Sequence, residues 1–424
     1  MKKVLIIAFF WPYTSGSKRV IGLAKYLPQY GWQPIILTGP LIKKPPDCFS
    51  IIQTPYQSFL GPVAKLLGLK LQQDTGDQLQ QRFQEKSEVI KKPLRFFYNL
   101  SKELFAFPDE YKNWQTTAIK AANNLIKKQK IDALISIWPL TSHLVARKLK
   151  QTTGINWLAD FPDLWSENAA YSYSALRHYF DRQMEIATLK SADIITTSSQ
   201  IYQKKLSQIH QAKKIIAINL GFDPANLNPP PAILTQKLSI TYTGMLYGRK
   251  RNPDKFLQAL AELIQDKIIN PQKISVRFFG PQSRHLNQNI QKLELANCVK
   301  QFGPVPLDQC LARQKESQIL LQLNWEDDSD KGVFSGKMLD YLASLRPILA
   351  VGGKGQDVVS QWLKDTGAGV YCPKITGTKI ALTQFYQEYE KNGFIQYHGD
   401  ITKVKNYSSD KMAQHFAKAL DQIN

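Results

Sequence analysis

The chain has 424 residues, 43% of them hydrophobic, which excludes an intrinsically disordered polypeptide. Its 55 lysines and arginines outweigh 34 acidic residues, and the net charge of +21 suits anionic partners: phosphorylated small molecules, an acidic membrane face or nucleic acid. Four dispersed cysteines (Cys48, Cys298, Cys310, Cys372) form no CxxC pair and the six histidines show no HExxH-type spacing, so a reducing compartment is expected, without a disulfide framework or structural zinc.

The opening run, "MKKVLIIAFFWP", places two lysines before a short apolar stretch that meets Pro12 and lacks a small-x-small cleavage site. It reads as a buried first strand, Val4 to Phe9, rather than a signal peptide. A helix over Arg19–Tyr30, stopped by Gly31, and a strand over Gln33–Leu37 follow. Further strands are read at 131–138, 155–160, 192–199 and 214–222. "DPANLNPPPAILTQ" (223–236) reads as a linker, because three consecutive prolines continue neither a helix nor a sheet ladder. The pattern then restarts with a strand at 238–244, a helix over Pro253–Ile264 capped by Asn252, strands at 274–280, 299–305, 319–324, 347–351 and 367–371, and a last helix over Ser409–Gln422. No run of about 18 apolar residues occurs, so no transmembrane helix is expected.

This alternation predicts an α/β chain of two doubly wound, Rossmann-like domains facing a central cleft. The expected boundaries are 1–225, 236–405, and a terminal helix, 406–424, packing back on the first domain. Residues near 55–115 break the pattern. In "VIKKPLRFFYNLSKELFAF", Leu94, Phe97, Tyr98, Ser101, Leu104 and Phe105 share a helical face, while Lys91, Lys92, Arg95 and Lys102 lie elsewhere. Two readings stand: an interfacial helix on an anionic membrane, or helices packed on the domain with snorkelling lysines.

Two loops after strands carry candidate chemistry. In "TGMLYGRKRNPDKF", the cations Arg249, Lys250 and Arg251 precede a helix N-terminus, where free N–H groups already favour a phosphate. In "GVFSGKMLDYLASLRPILAV", Gly336 permits close backbone approach, Lys337 stands at the start of a helix, and Asp340 follows one turn later on the same face. A cation for phosphate beside a carboxylate for ribose is what a nucleotide requires.

These segments resemble the donor-site motifs of glycosyltransferase family 4, within the GT-B fold. "VKQFGPVPLDQCL" is similar to that family's nucleotide-base loop, "GFD" (221–223) to its interdomain motif, "PYTSGSKRVIGLAKYLPQYGWQPIILT" to its acceptor-domain opening, and "WLADFPDLW" to an acidic-aromatic loop of some bacterial members. The resemblance spans nearly the whole chain except roughly residues 40–105. It implies a retaining transferase that moves a sugar from a nucleotide-diphosphate sugar to a glycan or lipid-linked acceptor in surface polysaccharide or glycolipid synthesis. It implies no cofactor and no obligatory metal, and a cytoplasmic protein, peripheral at the inner membrane face. By motif match, Arg251 and Lys337 would hold the diphosphate and stabilise the leaving group, Asp340 would bind the ribose, and Gly303 and Val305 would line the base. Gly244, Gly16 and Ser17 would let backbone approach the donor. His143 matches a histidine near the reacting sugar, and Asp160 and Asp163 are acceptor-contact candidates.

Three positions depart from the family pattern. Gly332 stands where the first of two paired glutamates is expected, Met245 replaces the arginine after the strand glycine, and Pro162 replaces an arginine in the acidic-aromatic loop. Two other functions are kept: a nucleotide-sugar epimerase, and a non-enzymatic basic scaffold for polyanions. No stacking or zinc-finger motif points to nucleic acid as a partner.

Overall fold

The computed structural model describes residues 1–9, 17–41, 49–57, 103, 106–168, 173–227, 233–247, 250–326, 331–332 and 336–424. Gly16, Arg249, the three consecutive prolines and nearly all of the apolar and basic run at 89–107 lie outside them. The chain divides into two compact units, Met1–Asn219 with Met412–Asn424, and Leu220–Lys411.

The first unit holds β1 (Lys2–Ile7), α1 (Ser17–Tyr26), β2 (Trp32–Thr38), β3 (Ser50–Gln53), α2 (Trp114–Lys128), β4 (Ala133–Ser136), α3 (Leu140–Thr153), β5 (Asn156–Phe161), α4 (Ala175–Leu189), β6 (Ile194–Thr197), α5 (Gln200–Ile209) and β7 (Lys214–Ala217). Its strands form one sheet in the order β3-β2-β1-β4-β5-β6-β7, with every pairing parallel. Val4, Leu5, Ile6 and Ile7 are all fully buried, as a central strand covered on both faces must be.

The helix expected over Arg19–Tyr30 ends at Tyr26 and tightens into a 3-10 turn over Leu27–Tyr30, with Pro28 at its start and Gly31 (φ +83°) as its left-handed cap. The strand expected over 214–222 stops at Ala217. One last amide, Ile218, reaches the Thr197 carbonyl at 2.7 Å, and Phe222 pairs instead with Ser408 in the second unit.

The second unit holds β8 (Leu238–Thr243), α6 (Asp254–Gln265), β9 (Ile274–Phe279), α7 (Arg284–Lys292), β10 (Val299–Gly303), α8 (Leu307–Lys315), β11 (Ile319–Leu323), α9 (Gly336–Ala343), β12 (Ile348–Val351), α10 (Val358–Thr366), β13 (Gly369–Cys372), α11 (Ile375–Asn392) and α12 (Ile401–Lys405). Its parallel sheet runs β10-β9-β8-β11-β12-β13. Asn252 accepts the Asp254 amide at 3.0 Å and so caps α6 as its sequence suggests. The last helix, α13 (Ser409–Asp421), lends Met412, Ala413, Phe416, Ala417 and Leu420 to the core of the first unit.

The first unit is pinned by a charge pair that meets no water. Arg19 and Asp160, both with no exposed surface, join through two bonds, Nε–Oδ2 at 2.6 Å and Nη2–Oδ1 at 2.7 Å. Arg19 also donates to the Ile218 carbonyl at 2.9 Å and lies over the Phe416 ring at 4.8 Å, while Thr196 donates to Asp160 Oδ1 at 2.6 Å. Removing one partner of such a pair strands the other charge, so Asp160→Ala is expected to cost ~3–5 kcal/mol of stability. Chemical denaturation of the variant beside the parent chain checks this.

Candidate functional site

In both sheets the strand order reverses beside the first strand of the unit, between β1 and β4 and between β8 and β11. Loops leaving neighbouring strands in opposite directions open a crevice at that point, at the carboxyl ends of the strands. In the second unit the chain leaves β8 through Gly244 toward Arg251 and leaves β11 through Asn324 toward Lys337 at the start of α9.

Gly244 takes φ +116°, and a Cβ there would lie 3.9 Å from the Lys337 side chain. The strand period puts Tyr242 on the same face as Gly244. Lys337 Nζ accordingly sits 3.7 Å from the centre of the Tyr242 ring. The lysine stem is half-buried, but its ammonium nitrogen is out of solvent and has no hydrogen-bond partner among the described residues. Burial, reinforced by the neighbouring Arg251, pushes its pKa well below the ordinary lysine value.

Arg251 is 8% exposed, and its Nε is likewise buried and unpartnered among the described residues. Its backbone bridges to Trp325, and its guanidinium lies 5.1 Å from the Tyr247 ring. Trp325 Nε1 is a third buried donor without an acceptor among the described residues. Burial pushes the Tyr242 phenol up to about 12, with Arg251 pulling the other way, and its hydroxyl donates to the Met245 carbonyl at 2.7 Å. Lys337 Nζ, Arg251 Nε and the Trp325 indole N–H, buried and unpartnered among the described residues, favour an anion here.

Asp340 stands one turn along α9 from Lys337 and is half-buried. Gly303 (φ +79°) ends β10, its carbonyl accepting from Gly280 at 3.0 Å, and a Cβ on Gly280 would collide with the Gly244 carbonyl. The loops after β8, β9 and β10 are therefore side by side. Phe302 is 50% exposed there and stacks on Phe279 at 5.0 Å, next to the half-buried Val305. Upstream of Gly332, Glu326 pairs with Lys255 at 2.7 Å.

The first-unit candidates are placed differently. Ser17 is buried at the start of α1. His143 is 1% exposed, its Nδ1 2.7 Å from the Ser136 hydroxyl and its ring stacked on Phe161 at 4.1 Å. Burial lowers its pKa to about 3, so it is neutral at physiological pH. Asp160 has both oxygens turned to Arg19 and Thr196 rather than to solvent. Asp163 is an exposed residue just past β5, but burial of its carboxyl raises its pKa, with Arg19 pulling the other way.

Three residues of these sites escape sequence reasoning. Tyr242 had a readable signal, an aromatic residue two places before a strand-ending glycine. Trp325 had none. Asp109 accepts the Thr141 amide at 2.7 Å and the Thr141 hydroxyl at 2.6 Å, which caps the helix carrying His143. Burial pushes its carboxyl up to about 6 despite those bonds.

Two parallel sheets of this strand order define a two-domain α/β fold of the GT-B class. No family model matches the chain, and no curated protein matches it. Solved structures match over its length. Sucrose-phosphate synthase from Thermosynechococcus elongatus is 12% identical with a TM-score of 0.62, covering 100% of this chain and 99% of that one. The lipopolysaccharide outer core galactosyltransferase WaaB is 13% identical with a TM-score of 0.57, covering 99% of each. The UDP-GlcNAc 2-epimerase from Methanocaldococcus jannaschii is 9% identical with a TM-score of 0.52, covering 100% of both.

A desolvated lysine that lacks an anion destabilises the ligand-free protein. Because its folded-state pKa is depressed, the unfolded chain binds more protons, and stability rises with pH from the lowered value up to the ordinary lysine value near ~10.4. Lys337→Met is expected to flatten that rise and to keep or raise the ligand-free unfolding midpoint at neutral pH. Thermal unfolding across pH checks both; a loss of more than ~2 kcal/mol in the variant would show that the ammonium has a structural partner.

Proposed function

We propose that this chain is a glycosyltransferase that moves a sugar from a nucleotide-diphosphate sugar to a glycan or lipid-linked acceptor in surface polysaccharide or glycolipid synthesis. The observation that carries this is a pair of buried cations at the switch point of the second sheet, whose Lys337 Nζ and Arg251 Nε have no hydrogen-bond partner among the described residues. A nucleoside diphosphate brings the negative charge those groups lack, and it is the leaving group of the reaction. As the sugar–phosphate bond breaks, charge grows on the departing phosphate, and fixed cations in a dry site stabilise it without a metal ion. In this reading Asp340 holds the ribose, Gly303 and Val305 line the base beside Phe302, and Gly244 admits the phosphates to the lysine.

On the acceptor side, Asp163 is the carboxylate free of the Arg19–Asp160 pair and lies on an exposed residue just past β5, and Asp160 acts by fixing the end of β5 through Arg19. His143, neutral and stacked on Phe161, positions the loop after β4, and Ser17 opens α1. We assign the reaction a retaining course on the motif resemblance. The epimerase of similar fold supports a second reading, in which the same cations hold the same diphosphate but no acceptor is used.

Thermal unfolding with UDP, GDP and ADP, and with their sugar conjugates, tests the assignment. One nucleotide class is expected to stabilise the parent chain by ~2.7 kcal/mol at a hundredfold excess over its Kd. Lys337→Met should abolish the shift. Stabilisation by none of them would sink the proposal. Because Lys337 must be protonated to pair with a diphosphate, binding should take up a fraction of a proton that grows with pH. Calorimetry in buffers of different ionisation enthalpy measures it. Product analysis without acceptor then separates transferase from epimerase.

A further inference from the structure

Helix α4 is built inside out. A surface helix ordinarily turns its apolar stripe to the core and its charges to water. Here Arg177, Asp181 and Glu185, four residues apart on one face, are buried. Leu176, Tyr179, Phe180 and Ile186 face outward with 67%, 57%, 52% and 38% of their surface exposed.

The inward charges are fully engaged. Arg177 pairs with Asp181 at 2.9 Å, donates to the carbonyls of Glu103, Ala106 and Pro108, each at 2.9 Å, and lies between the rings of Phe107 and Tyr173. Glu185 accepts the Ser166 amide at 3.0 Å and the Ser166 hydroxyl, and faces His210 Nε2 at 3.1 Å. The helix is therefore locked in this orientation by a polar network. Rotating it to hide the apolar face would break every one of those bonds.

The charge pattern names the occupant of the outward face. The two acidic residues of α4 are both turned inward, so no carboxylate borders the apolar stripe from its own helix. His178 and Lys190 are exposed beside it, and the half-buried Arg182 stands at its edge, paired with Glu167 at 2.9 Å. Tyr179 and Phe180 pack edge to face at 5.7 Å, an aromatic pair of the kind that sits at headgroup level. The residues that bind Arg177 also close the apolar and basic run read from the sequence, so the two features adjoin. Apolar and aromatic groups with Arg182 and Lys190 at their border and no carboxylate from their own helix, on a chain of net charge +21, fit an anionic lipid surface.

We propose that the outward face of α4 docks the protein on an anionic membrane, with Leu176, Tyr179, Phe180 and Ile186 entering the headgroup–acyl boundary and Arg182 and Lys190 meeting lipid phosphates. This stands apart from the sugar-transfer assignment and is tested without nucleotide.

The full chain is sedimented with phosphatidylcholine vesicles, with and without about one-third phosphatidylglycerol. The expected result is binding to the anionic vesicles alone, weakened by salt. It should fall about tenfold in the double variant Tyr179→Ser, Phe180→Ser and stay unchanged in Ile380→Ser, which alters an exposed apolar residue of the second unit. An unchanged unfolding midpoint establishes that the double variant folds; Leu176→Ser alone repeats the test if it does not. No binding by the parent chain, or undiminished binding by the variants, overturns the proposal. So does a self-association seen by sedimentation equilibrium that the double variant abolishes while vesicles go unbound, because the face would then belong to a second copy.

Discussion

A charge taken out of water must find its opposite, and the two units meet that constraint in contrasting ways. Arg19 finds Asp160 inside the protein, with two hydrogen bonds, a carbonyl and an aromatic ring completing its shell. Lys337 has an aromatic face beneath it and a second cation beside it. The first arrangement is satisfied by the fold. In the second, the Lys337 ammonium has no hydrogen-bond partner among the described residues, and that contrast is what makes it the candidate for a ligand. Burying a lysine so close to an arginine is unfavourable in isolation, and the surrounding sheet must be stable enough to hold both in place.

That stability comes from the parallel sheets. Their central strands are buried on both faces, so ligand chemistry is displaced to the loops at the carboxyl ends, where the reversal of strand order separates two of them. The site then depends on how closely backbones approach. Gly244 and Gly280 are packed so that a side chain on the latter would strike the carbonyl of the former. This brings the ends of three strands within reach of a single ligand.

Much of this was legible because strands and helices bury different periods of residues. Runs such as "LSITYTG" and "ISVRFFG" predict strands whose cores are Leu238–Thr243 and Ile274–Phe279. Short edge strands carry too little pattern, and Ser50–Gln53 passed unread. Lys337 could be singled out because a cation at the start of a helix after a glycine has a local rationale. Asp160 looked like a ligand-binding residue for an equally local reason, yet its partner lies 141 positions away in the chain. Pairing over that distance is set by topology and leaves no trace in spacing. The orientation of α4 was hidden for a related cause: its alternation of charged and apolar residues is ordinary for a helix, and only the neighbours of Arg177 and Glu185 decide which side faces the core.

The last helix carries a consequence for how the protein is made. Phe416, which covers the guanidinium of Arg19, is synthesised only after the whole of the second unit. Until then the first unit lacks Met412, Phe416 and Leu420 from its core and presents the surface they will cover. The second unit has all its sheet strands earlier and can close first. The order of folding on the ribosome would thus invert the order of the units along the chain. A nascent protein stalled before α13 would be a natural client for chaperones that recognise exposed apolar surface.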